Sequence, residues 1–154
     1  MTNHLTAVRF AAAYAVLAAS HEVADHWVQR DKEACTKGKP GPEGAKACAV
    51  HVATYTATQG LALLAADRLL GFGLRPGRAA AGLTVSAITH YIADRQGGHW
   101  RDDHPRGIVQ LAAATGHRGW LRRDPGAGYL LDQSWHKGWI AIAAAIAAGG
   151  RSDG

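Results

Sequence analysis

Residues 10–32 read FAAAYAVLAASHEVADHWVQRDK, ten small or apolar residues running straight into a polar stretch. Neither Gly nor Pro interrupts it, so one helix is expected from about Thr6 to about Lys32. Tyr14, Leu17, His21, Asp25 and Val28 recur at spacings of three and four and share one face. That face should point inward, which carries a histidine and a carboxylate into the core.

The same pattern returns along the chain. TKGKPGPEG (36–44) is a Gly/Pro loop, and a second helix is expected from about Ala45 to Leu70. GFGLRPGR (71–78) breaks the chain before a third, from about Ala79 to Asp94 or Arg95. QGGHWRDDHPRG (96–107) reads as a polar loop, followed by a short helix over about Ile108–Thr115. After GHRGWLRRDPGAG (116–128), a fourth main helix runs from about Tyr129 to Ala148, and RSDG (151–154) reads as a frayed tail. No strand alternation or fixed-period repeat appears. The expectation is all-α: one domain over 1–154, a bundle of four main helices.

Each main helix carries a polar set at helical spacing. Helix one has His21 and Asp25, helix two His51, Tyr55 and Gln59, helix three His90 and Asp94, helix four Asp132 and His136. All lie among apolar or small residues, where an unpaired polar group is costly. A divalent transition metal, one or two ions of zinc, manganese or iron, would satisfy them together. Bundles build such sites from inward ligands on facing helices. His21, Asp25, His51, His90, Asp94, Asp132 and His136 are therefore the candidate ligands, with Asp25, Asp94 and Tyr55 as candidate catalytic groups. His26, Gln29, Gln59, Arg95, Gln133 and Lys137 are candidate rim or substrate residues. Metal-free polar networks, catalytic or structural, remain open alternatives. Glu22, Glu33 and Glu43 read as helix exterior or loop, and the five tryptophans as packing anchors.

Length and composition bound the class. With 154 residues, 47% of them hydrophobic, the chain can bury a single core. A formal charge of +5 suits an anionic substrate or partner, but the cations are scattered and form no basic arm. The two cysteines, Cys35 and Cys48, cannot make a disulfide framework and are expected to be reduced. The apolar run at 10–19 leads directly into charged residues, so no secretory leader is expected. No stretch reaches the length of a membrane span, and a cytoplasmic location is expected. Peripheral membrane contact and a homodimer stay open.

The stretches HEVADHWVQ, ACAVHVATYTATQ, HYIAD and LLDQSWHKG resemble a domain-of-unknown-function family of small helical bacterial and phage proteins. They span most of the chain and all four helices. The resemblance implies a polar constellation shared among helices, and several relatives are predicted to be membrane-associated. The HxxxD pairs also resemble those of membrane-associated metal-dependent hydrolase-like proteins. This chain differs in its more polar, shorter apolar runs.

The function expected is metal-dependent hydrolysis of a phosphoester or phosphoanhydride, nucleotide-type, through a metal-bound water. The alternatives are a regulatory or nucleic-acid-interaction protein held by a structural metal or polar network, and a di-iron oxygen-activating bundle. The last lacks glutamates on its core faces.

Overall fold

Every regular element among the described residues is helical. The computed structural model describes residues 2–97 and 99–149; the 151–154 tail lies outside them. Helix α1 (Thr2–Val23) ends in a π-helical turn over Ala24–Val28. Then come α2 (Asp31–Thr36), α3 (Gly41–Leu70), α4 (Pro76–Asp94) and α5 (Gly107–Ala112). A second π turn (Ala113–His117) leads to α6 (Arg118–Arg123), and α7 (Ala127–Ala148) closes the bundle.

The four long helices form a ring in which α1 and α4 each pack against α3 and α7. Neighbours run antiparallel. Gln59 of α3 reaches the Leu17 carbonyl of α1, whereas His51, two turns back, meets Asp25, further along α1. On α4, Ser86 faces Gln59 and His90 faces His51. The buried stripe of α3 is Gly44, Cys48, His51, Tyr55, Gln59 and Leu63, steps of three and four that keep one face inward.

The bundle interior is layered. One end is apolar, built from Ala13, Leu17, Leu63, Phe72, Ile140, Ala143 and Ala144. Next comes a hydrogen-bonded layer of Gln59, Ser86 and Tyr55. The histidines follow, and the carboxylates lie beyond them toward the segments that carry the short helices α2, α5 and α6. Close helix approach depends on small residues: a Cβ at Gly82 of α4 would lie 2.5 Å from the Ala143 carbonyl of α7. Gly71 ends α3 with φ 65°, a left-handed cap whose N–H donates to the Asp67 carbonyl.

Several expectations need correction. The first helix does not reach Lys32. It stops at the π turn, where Gln29 N–H bonds to the Ala24 carbonyl, and Gln29 and Arg30 are extended (ψ 127° and 152°). Val28, placed on the inward face by simple helical spacing, is consequently exposed. Helix α3 begins at Gly41 and α4 at Pro76, because proline is accepted in a first turn. Helix α6 lies inside a stretch read as turn. Trp27 is 86% exposed and anchors nothing. Both cysteines, expected to be reduced, are free thiols. No helix among the described residues is long and apolar enough to cross a membrane.

Candidate metal centre

Four helices deliver the centre. His21 and Asp25 come from the end of α1 and its π turn, His51 from α3, His90 and Asp94 from α4, and Asp132 and His136 from α7. His21, His51, His90, His136 and Asp94 are all buried. The imidazoles crowd together: the His90 ring lies 5.1 Å from that of His51, 4.2 Å from His136 and 5.6 Å from His21, centroid to centroid.

The tightest geometry is a triangle. His51 Nε2 and His90 Nε2 are 3.0 Å apart, and Asp94 Oδ2 lies 3.1 Å from the first and 3.2 Å from the second. Asp25 Oδ1 stands 3.4 Å from both nitrogens. Lys37 Nζ donates to the same Asp94 oxygen at 2.9 Å. A second set, His21, Asp25 and His90, shares His90 with the first; each set brings one ligand atom per residue within 4.8 Å of the others. Either set could hold a metal ion, since nitrogen and carboxylate oxygen together suit first-row divalent ions.

Electrostatics agree with a tightly coupled centre. Burial pushes the Asp25 carboxyl up, but the hydrogen bond from His51 and the charges of His90 and His21 outweigh it and bring it to about 2. Asp94 is likewise held well below the carboxylate range: burial is overcome by bonds from His51 and His90 and by Lys37. Burial lowers His51, yet its bonds to Asp25 and Asp94 leave it raised. His136 is raised despite burial because of Asp132. Burial dominates at His90 and His21 and lowers both.

The remaining histidines are less tied. His136 Nε2 lies 3.4 Å from Asp132 Oδ2 and 3.9 Å from Asp94 Oδ1, without a hydrogen-bond partner among the described residues. Asp132 is half-buried at the edge, so it borders the centre from the α7 side. His21 Nδ1 sits 3.7 Å from Asp25 Oδ2 and also lacks a hydrogen-bond partner there. Nδ1 of His51 and of His90 are in the same state.

The surrounding residues divide between expectation and correction. Gln133, expected at the rim, is buried with its Oε1 3.1 Å from His21 Nε2. It accepts the Nε2 proton and so leaves the Nδ1 lone pair facing Asp25. Tyr55 stacks on His90 at 3.9 Å, but its hydroxyl donates to Ser86, whose own proton goes to Gln59 Oε1. Gln59 in turn donates to the Leu17 carbonyl. Tyr55 therefore aims its proton away from the carboxylates, and burial raises its pKa further. Arg95, expected at the rim, holds the Lys37 and Lys39 carbonyls through one guanidinium nitrogen. Lys137 lies outside, paired with Glu22 at 3.2 Å, and Glu22 also meets His26 at 3.3 Å. His26 is exposed at the rim as expected, with Tyr129. Gln29 sits past the helix break with its amide nitrogen buried and unpartnered among the described residues. Glu33 is not exterior but folded against Arg30.

Two residues were missed by sequence reasoning. Ser86 stands one helical step before His90 and Asp94, so S-x-x-x-H-x-x-x-D at 86–94 was a readable signal. Lys37 gave none, since it belongs to a Gly/Pro loop 57 residues from Asp94. No protein-family model, curated protein or solved structure matches the chain.

Proposed function

We propose that the chain is a metal-dependent hydrolase acting on an anionic phosphoester or phosphoanhydride. The observation that carries this reading is the His51–His90–Asp94 triangle, with edges of 3.0, 3.1 and 3.2 Å. Ligand atoms about 2.1 Å from one first-row ion stand roughly 3.0–3.4 Å from each other. In this reading those three residues hold the ion, and a bound metal supplies an acidified water and a Lewis acid. Asp25 is the carboxylate placed to take a proton from that water. Lys37 and the cations of the 95–106 loop favour an anionic substrate. Zinc, manganese and iron all accept such a donor set. The lack of any glutamate in the centre among the described residues weighs against a di-iron oxygen-activating site.

Elemental analysis of tag-free protein, followed by zinc, manganese and iron(II) titration, tests the reading. The expected result is one or two bound ions, lost in His90→Ala and kept in the surface variant His26→Ala. Hydrolysis of bis(p-nitrophenyl) phosphate should follow metal content. A folded protein that takes up none of the three ions would overturn it.

One observation favours a second reading, a metal-free polar network in an interaction protein. Lys37 on Asp94 already provides a cation at the carboxylate a metal would use.

A further inference from the structure

We propose that the cleft between the α2–α3 loop and the α4–α5 loop is a seat for a small phosphate-bearing anion of the pyrophosphate type. The cleft has a volume of about 420 Å³, in the range of small-ligand sites. Arg95, Gln96, His99, His104 and Arg106 line it together with one carboxylate, Asp102. That carboxylate is already used: Asp102 Oδ2 accepts from His99 Nδ1 at 2.9 Å.

Each donor has a defined state. Arg95 commits one guanidinium nitrogen to the Lys37 and Lys39 carbonyls, which fixes the group while leaving its other nitrogens available. His99 donates through Nε2 to the Gly38 carbonyl and through Nδ1 to Asp102, so both faces favour the imidazolium and its pKa is raised. Gln96 Oε1 accepts the Ile108 N–H, which leaves its amide NH2 as a free donor. Arg106 and His104 are exposed, and their side chains have no hydrogen bond or ion pair among the described residues. Arg95 and Arg106 against Asp102 by themselves give the lining an excess of positive charge.

A carboxylate ligand would need one such cation; several converging on one hollow suit a group with two or more charges. The cleft also adjoins the polar centre. Arg95 follows Asp94 in the chain, and Lys37, which binds Asp94, lines a neighbouring hollow that shares Gly38, Pro40 and His99. As the seat for the substrate's anionic part, the inference rests on the hydrolase reading; as a binding site, it does not.

The test is therefore run on EDTA-treated protein, so that it stands apart from any metal. Inorganic pyrophosphate is titrated by calorimetry into the wild type, Arg106→Ala and, as a control for overall charge, Arg68→Ala on the far end of α3. Binding by the wild type, at least ten-fold weaker in Arg106→Ala and unchanged in Arg68→Ala, is expected. Arg106 has no partner to lose, so the variant keeps its fold, checked by helical circular dichroism. A nucleoside diphosphate is the second probe. Tighter binding than pyrophosphate assigns a phosphorylated organic ligand, and equal or weaker binding assigns inorganic polyphosphate; both support the seat. Absence of pyrophosphate binding at millimolar concentration, or equal weakening in the two arginine variants, overturns it.

Discussion

Lys37→Met separates the two ways in which the buried carboxylates can be neutralised. Lys37 Nζ is 2.9 Å from Asp94 Oδ2, with side-chain exposures of 16% and 4%. At that distance and an effective dielectric near 20, the gross attraction is about 6 kcal/mol before desolvation is subtracted. Removing one partner of a buried pair typically costs about 3–5 kcal/mol, because the other charge stays behind. His51 and His90 still bond to Asp94, so the low end, about 3 kcal/mol, is expected. For a chain of this size that lowers Tm by about 6–12 °C in EDTA.

Metal should then rescue the variant more than it helps the wild type. An ion on His51, His90 and Asp94 supplies the missing positive charge and no longer competes with the ammonium. At about 100 times Kd, binding adds roughly 2.7 kcal/mol and recovers most of the loss. The assay is thermal unfolding by circular dichroism, wild type against variant, in EDTA and in excess zinc or manganese. A variant melting within about 2 °C of the wild type in EDTA refutes the charge reasoning. Destabilisation without any metal rescue refutes the ligand triangle and leaves the metal-free network.

The Asp25 carboxyl titrates near 2 in the folded protein against 3.8 unfolded. Its contribution, about 2 kcal/mol, is present above the unfolded value and lost as pH falls toward the folded one. Asp25→Asn should thus be less stable by about that amount at pH 7 and equal to the wild type near pH 2, read by urea unfolding at both; a gap independent of pH would remove the linkage. Gly82→Ala puts a Cβ 2.5 Å from the Ala143 carbonyl and 3.2 Å from Ala147 Cβ. Overpacking of about 1–3 kcal/mol then exceeds the helix-propensity gain of about 1 kcal/mol, and an unchanged Tm would contradict the close α4–α7 crossing. Ser86→Ala leaves the Tyr55 hydroxyl buried without its acceptor, a loss of about 1–3 kcal/mol. Adding Tyr55→Phe should restore part of it in a double-mutant cycle, and strict additivity would show the two hydroxyls to be uncoupled.

The helical class and the inward faces were legible because the polar residues obey helical spacing. His21 and Asp25, like His90 and Asp94, stand four apart, and His51 and His136 stand three or four residues from buried Cys48, Tyr55, Gln133 and Ile140, so each lies on the inward face of its helix. Gln133 was misread for a reason of the same kind: one step from Asp132 is about 100° of turn, and the helix rotates it toward His21 rather than outward. The end of α1 was not legible, since a π turn inserts one residue without Gly or Pro to announce it. The bonding of Arg95 and Lys137 was not legible, because an arginine bound to carbonyls and a lysine paired on the surface look the same in sequence as free cations. Lys37 depends on a loop crossing back to the end of α4, which no local pattern encodes.

The layering explains why the polar centre lies where it does. An apolar layer of Ala13, Leu17, Leu63 and Ile140 supplies hydrophobic stabilisation at one end. The Tyr55–Ser86–Gln59 chain terminates on a backbone carbonyl of α1 and so closes the polar region on that side with its polar groups bonded. On the opposite side, among the described residues, Lys37 meets the Asp94 carboxylate, held by a loop whose carbonyls accept from Arg95. A centre built only for stability would be bonded equally on both sides. Here His21 Nδ1 and His136 Nε2 have no hydrogen-bond partner among the described residues, and Lys37 reaches Asp94 from the loop between α2 and α3. That asymmetry gives the chain a direction, with a fixed, fully bonded floor beneath His90 and a charged approach above Asp94.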